Sequence, residues 1–179
     1  GQRPGIQERG RGHEELAEGA AKERFRKDVE DRENMVASTR EFVSGGEVNE
    51  ARQNGDINAL LHRLQANCGG MNAEVTLHGS AGQPLAAYSR SLKRCVQNLL
   101  ENAILHRHHA TPVHVVVSPD GCVDITNDCT ALKPAILARL TNPFVRGGST
   151  AHGSGLGLAI ASNIARQTDA RFTLYSPLP

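Results

Sequence analysis

Gln97-Asn98-Leu99-Leu100-Glu101-Asn102-Ala103 is the stretch on which the fold turns. Leu92, Cys95, Val96, Leu99, Leu100 and Ala103 recur at helical spacing. A helix over about 89–105 with one buried side follows. Asn98 and Asn102 are four residues apart, so both amides lie on the same side of that helix. A polar pair at the edge of a buried face needs partners. The amides either hydrogen-bond to nearby backbone, or one amide oxygen binds a hard cation such as Mg²⁺, which prefers oxygen ligands.

Downstream, Gly153-Ser154-Gly155-Leu156-Gly157-Leu158-Ala159-Ile160 leads into a second helix over 156–167. Glycines at alternate positions let backbone approach a ligand closely. The helix start then offers free N–H groups and partial positive charge to a phosphate. The pattern is neither a dinucleotide fingerprint nor a Walker loop, because it follows no strand directly and no Lys-Ser/Thr comes after it. Just before it, Asn142-Pro143-Phe144-Val145-Arg146-Gly147-Gly148 opens a stretch rich in Gly, Ser and Thr. That stretch, 147–155, reads as a mobile loop over the phosphate site with Phe144 as its apolar anchor.

Around these segments the pattern is mixed. Asp56 caps a helix carrying Ile57, Leu60, Leu61 and Leu64, ending near Gly69-Gly70. Strands are expected at 73–78, 113–117, 122–125 and 171–175, the middle two joined by a Pro119-Asp120-Gly121 turn. A short helix is expected at 135–140. The order places helices on one face of a sheet.

Composition bounds the rest. The 179 residues carry 20 basic and 19 acidic side chains, a net of +1, which argues against binding nucleic acid by bulk charge. Of those charges, 19 fall within residues 1–41. There Phe25, Val29, Val36 and Val43, flanked by Met35 and Phe42, form a narrow apolar stripe on a charged helix over 14–43. Such a stripe either meets a partner helix or packs on the domain behind it. Ser44-Gly45-Gly46 ends the rod. No run approaches the roughly 18 apolar residues that span a bilayer. The chain starts Gly1-Gln2-Arg3-Pro4, with neither Met nor a signal-peptide pattern, and is read as part of something longer. Cys68, Cys95, Cys122 and Cys129 show no metal-finger spacing and read as reduced thiols. His106-Arg107-His108-His109 reads as a polar helix end, with metal binding the alternative.

Taken in order, the three segments resemble the catalytic ATP-binding domain of sensor histidine kinases, in the ATPase group of gyrase, Hsp90 and MutL. Asn98–Asn102 resembles the N box, Pro143-Phe144 the F box, and Gly153–Gly157 the second glycine box. Leu174-Tyr175-Ser176-Pro177 resembles the last strand. The resemblance implies an α+β fold: a two-layer α/β sandwich of Bergerat type over 47–179, preceded by a helical hairpin or coiled-coil segment over 1–46. It implies ATP and Mg²⁺ as cofactors, with Asn102 on the metal, Asn98 beside the phosphates, and the Ser154 to Leu158 backbone around them. The lid would span about 146–154, Arg146 and Gly153 included. Lys27-Asp28 and the stripe after it resemble the second helix of the dimerisation hairpin, which implies a homodimer. The resemblance further implies transfer of the γ-phosphoryl to a histidine and then to a response regulator, in the cytoplasmic part of a bacterial inner-membrane sensor. Membrane contact would come only through upstream segments.

The match departs in two places. The first glycine box, Asp-x-Gly-x-Gly in the family, is Asn127-Asp128-Cys129-Thr130-Ala131 here, followed by Leu132. Asn127, or Asp128 one residue on, would meet the adenine, and a positive φ is denied to Cys129 and Ala131. An Asn oxygen still accepts from the adenine amino group, without the charge-assisted strength of Asp. Leu105 and His106 replace the usual basic and aromatic pair, which leaves Arg107 to reach the phosphates. The second departure is the acceptor. His13 precedes Glu14-Glu15-Leu16, but only 11 residues separate it from Arg24, too few for a hairpin. His13 is read as a solvated surface residue and the phosphoacceptor as absent from this chain. The altered box keeps a catalytically impaired scaffold as the alternative function; an anti-sigma-type serine kinase is disfavoured by the long charged helix.

Overall fold

The computed structural model describes residues 50–69, 73–108, 110–145 and 154–176, with scattered positions between 19 and 43. Those scattered positions are all helical. Residues 14–18, His13 and the Ser44-Gly45-Gly46 stop lie outside the described residues.

From residue 50 the order is β1 (Gln53–Gly55), α1 (Ile57–Cys68), β2 (Val75–Gly79), β3 (Leu85–Ala87), α2 (Ser89–His106), β4 (Val113–Val117), β5 (Val123–Asn127), α3 (Pro134–Leu137) and α4 (Gly157–Gln167). The main sheet runs β2-β4-β5, with β2 parallel to β4 and β4 antiparallel to β5. β1 and β3 pair antiparallel as a separate ribbon. Three-residue strands carry no readable alternation, and the sequence alone did not reveal this ribbon.

The central strand shows why the helices take one face. Val113, Val115 and Val117 are 0%, 2% and 3% exposed, while His114 and Val116 look outward. The inner face packs under α1, through Ile57, Leu60, Leu61 and Leu64, and under α2, through Val96, Leu100, Ala103 and Ile104. Gly121, at φ 86°, closes the β4–β5 hairpin, and the Gly121 amide donates to Ser118 O at 2.9 Å. The turn expected at Pro119-Asp120-Gly121 is therefore present. Asp56 caps α1 as expected, accepting from the Ala59 amide at 3.1 Å.

α4 builds a second, smaller core from Leu156, Ile160 and Ile164, with Cys95 of α2 and Phe42 of the N-terminal helix against it. The reading that the stripe packs on the domain holds for Phe42. Phe42 turns to the domain, while Phe25 and Val43 are 71% and 73% exposed.

Two expected elements differ. The helix expected over 135–140 is one turn, Pro134–Leu137, which then tightens through bonds such as the Arg139 amide to Ile136 O at 2.9 Å. Residues 171–176 join no ladder among the described residues. Phe172, Leu174 and Ser176 alternate inward as a strand would, but alternation reports a sided extended chain, not a paired one. Ser176 Oγ instead accepts from the Leu132 amide at 3.0 Å.

The helix that carries Asn98 and Asn102 is capped from a distance. Tyr88, its N-cap residue, makes no side-chain cap. Glu50 supplies one, accepting from the Arg90 amide at 3.0 Å and the Ser91 amide at 2.8 Å. Burial pushes the Glu50 carboxyl up, but its hydrogen bonds from Ser91 and Arg90 outweigh that and hold it below its ordinary value. A carboxyl lowered on folding stabilises above its unfolded pKa and loses that effect as pH falls through its folded value. Glu50→Gln should therefore cost about 1 kcal/mol in denaturant unfolding at pH 7. The difference should shrink as pH falls through the lowered folded-state pKa of Glu50. Equal stability of the two proteins at pH 7 would show that the cap contributes nothing.

Candidate nucleotide site

α2 brings the candidate residues together. Asn98 is half-buried, and its Nδ2 donates to Arg94 O one turn back at 2.9 Å. Its Oδ1 faces α4: a Cβ built on Gly157 would stand 3.4 Å from it. A side chain at this position would already be in contact with the amide, which places the start of α4 directly beside Asn98. Asn102, one turn further on, is half-buried and makes no side-chain hydrogen bond to a described residue. The bland reading of the pair, backbone satisfaction, thus fits Asn98; Asn102 keeps its oxygen available.

The entry to α4 is shaped by glycine. Gly155 sits at φ 69°, where a Cβ would come within 3.1 Å of the Phe144 carbonyl carbon. Gly155 O accepts from the Phe144 amide at 3.0 Å. Phe144, itself at φ 63°, is 53% exposed. These contacts join the two ends of segment 146–153, which lies outside the described residues with Arg146 and Gly153. Ser154 Oγ accepts from the Leu156 amide at 3.3 Å, ordering the turn. Leu156 is 0% exposed and its side chain belongs to the core; Leu158 is half-buried. The first-turn amides of Gly157, Leu158 and Ala159 have no acceptor within the helix and form its positive end.

Asn127 ends β5 opposite Val113, so its side chain shares the helix-facing side of the sheet. Asp128 is exposed and pairs with His108: the His108 amide donates to Asp128 O at 2.6 Å, and Nδ1 lies 3.5 Å from Oδ1. His108 Nε2 is 3.4 Å from Thr130 Oγ1. Cys129 and Ala131 are absent from the residues with positive φ, so this segment follows a path that side chains tolerate. Leu132 is half-buried and bonded to Ser176.

Arg107 goes elsewhere. Its Nη1 donates to Ile104 O at 2.6 Å. It lines a hollow of about 320 Å³ with Gly69, Ala73, Glu74, Ala110 and Thr111, and none of Asn98, Asn102 or Gly155–Gly157 borders that space. Burial holds His106 below its ordinary value, which favours its neutral ring.

Glu50 and His108 make contacts beside the candidate residues that the sequence did not reveal. Glu50 acts across 40 residues, and no local pattern marks it. His108 was visible only as part of a histidine cluster. No group of metal-ligating His, Cys, Asp or Glu occurs among the described residues. No described helix is long and apolar enough to cross a membrane.

Comparison with known proteins agrees with this geometry. Residues 87–178 match the family model described as histidine kinase-, DNA gyrase B-, and HSP90-like ATPase. The sensor histidine kinase GtrS of Pseudomonas aeruginosa is 29% identical over 155 residues, 86% of this chain and 32% of that protein. The sensor protein QseC of Escherichia coli is 37% identical over 86 residues, 48% of this chain and 18% of its own. Among solved structures, full-length ShkA in complex with AMPPNP superposes with a TM-score of 0.63 at 21% identity, over 78% of this chain and 32% of that one. The mycobacterial sensor histidine kinase MprB gives 0.56 at 21% identity, over 66% of this chain and 81% of that one. The chain belongs to the histidine kinase-, DNA gyrase B- and HSP90-like ATPase family, and it carries the ATP-binding catalytic domain of the histidine kinase type. It spans about a third or less of the length of these two curated relatives.

Two outcomes test the α2–α4 contact. Gly155→Ala forces a side chain into the left-handed region and against Phe144, and should cost about 1–2 kcal/mol in unfolding experiments; a neutral substitution would remove the role given to this turn. Cys95, between the helices, is pushed up to about 11 by burial. A thiol raised on folding contributes fully below its unfolded pKa and loses that contribution as pH rises through its folded value. At pH 8, peptide mapping should find exposed Cys122 alkylated while Cys95 reacts only on unfolding.

Proposed function

We propose that this chain is the kinase core of a two-component sensor. Residues 47–179 bind ATP with Mg²⁺, and residues 1–46 belong to the dimerisation and phosphotransfer segment. The observation that carries the reading is the apposition of Asn98 and Asn102 on α2 with the glycine-shaped start of α4. A purine nucleotide would place its phosphates at that helix start, held by the Gly155–Gly157 backbone and the first-turn amides.

The fit to Mg²⁺ rests on Asn102. It is a half-buried oxygen donor with no partner among the described residues, beside the expected phosphates. Few protein ligands are expected, since this ion keeps phosphate oxygens and water in its shell. When bound, Mg²⁺ neutralises charge on the phosphates. The residues of this chain then contribute position. Asn98 braces the start of α4, whose dipole faces the transferred group, and Asn127 holds the base. Such a site works by alignment and electrostatic stabilisation of an in-line phosphoryl transfer.

The acceptor is a histidine of the helical hairpin, and a response regulator takes the phosphoryl group onward. The outward stripe of Phe25, Val29, Met35, Val36 and Val43 supports a homodimer: its members are 38% to 73% exposed on the N-terminal helix. The chain would form the cytoplasmic part of a bacterial inner-membrane sensor.

One observation favours a second reading, a dimeric scaffold of impaired catalysis. Cys129 and Ala131 replace glycines and take an ordinary backbone path, which alters the wall near the base. Calorimetry with a non-hydrolysable ATP analogue and Mg²⁺ separates the two. The enzyme reading expects binding heat and at least about tenfold weaker binding in Asn102→Ala, the loss of one charged-site ligand. Absence of heat in the unchanged protein would establish the scaffold instead.

A further inference from the structure

Resting on the nucleotide reading above, we propose that Asn127 makes this site accept 6-oxopurine nucleotides, guanosine and inosine triphosphates, as well as ATP. The starting observation is an unmet donor. Asn127 Nδ2 is cut off from solvent and has no hydrogen-bond partner among the described residues. Its strand position sets its direction: it lies opposite Val113, on the face that α2 covers. A buried N–H group without an acceptor is costly, and a half-turn of the amide that brings Nδ2 to an acceptor on a ligand relieves that cost.

The chemistry of the side chain then decides which bases fit. A carboxylate offers only acceptors, so beside the purine 6-position it accepts from the 6-amino group of adenine and opposes O6 of a 6-oxopurine. An amide offers one acceptor and one donor. With adenine, Oδ1 accepts from the 6-amino group and Nδ2 donates to ring N1. Rotated half a turn, Nδ2 donates to O6 of a 6-oxopurine and Oδ1 accepts from its N1–H. Either edge satisfies both amide atoms. Asp128, the nearest carboxylate in sequence, is exposed and engaged with His108. It leaves the base edge to Asn127. A site that pairs a hydrogen-bonding edge discriminates strongly against partners that leave it unpaired. Here neither purine does.

The test is calorimetry of the full chain with Mg²⁺ and non-hydrolysable analogues of ATP, GTP and ITP. GTP and ITP analogues should bind within about tenfold of the ATP analogue, the span expected when no polar group is left unpaired. Asn127→Asp should keep ATP binding and weaken GTP and ITP by a further tenfold or more, roughly one lost pairing. Binding of ATP with GTP and ITP more than about tenfold weaker in the unchanged protein overturns the base preference and leaves the nucleotide site standing. An unchanged ratio in a folded Asn127→Asp protein removes Asn127 as its cause. Failure of all three nucleotides to bind overturns the nucleotide reading, and this inference with it.

Discussion

The close approach of α2 and α4 is the constraint on which the rest of the domain depends. A Cβ on Gly157 would stand in contact with Asn98 Oδ1, at 3.4 Å. Small residues continue that seam: Ala159, Ala161 and Ala165 are 3%, 0% and 6% exposed. Between them Leu156, Ile160 and Ile164 fill the space that Cys95 and Phe42 close. Tight packing of this kind tolerates little volume change. The same contact that builds the second core also turns the free amides of α4 towards the asparagine side of α2. Stability and site geometry therefore share residues.

Two residues before β1 reach this seam, Phe42 on the N-terminal helix and Glu50 beyond it. Phe42 packs on α4, and Glu50 caps α2 with two amide bonds. One attachment is apolar and insensitive to pH; the other needs a charged carboxylate. The N-terminal helix touches the seam through Phe42, while Phe25 and Val43 are exposed.

The altered first glycine box shows how a fold absorbs a lost motif. Cys129 and Ala131 cannot take positive φ cheaply, and they do not take it. The segment is instead tied to the end of α2 through His108, whose backbone and ring both meet Asp128. The orientation of Asn127 is kept by strand register, since the β4–β5 ladder runs to its very position. Register survives where loop conformation does not, because a ladder is specified by many bonds and a glycine turn by one or two residues.

Periodicity and local chemistry were enough to determine several things from the sequence itself. These were the helix of Asn98 and Asn102, the strand at 113–117, the Asp56 cap, the Pro119-Asp120-Gly121 turn and the glycine-rich entry to α4. Each rests on contacts within a few residues, where side-chain spacing dictates structure. Tertiary structure alone decided the remainder. It bonded the Asn98 Nδ2 to its own helix and left Asn102 without a hydrogen-bond partner among the described residues. It drew Arg107 into a hollow with Glu74 and away from the glycine turn. It left 171–176 unladdered among the described residues. Glu50 became the cap of a helix 40 residues away. Those outcomes depend on which surfaces meet across long stretches of chain, and a linear pattern carries no record of such distances.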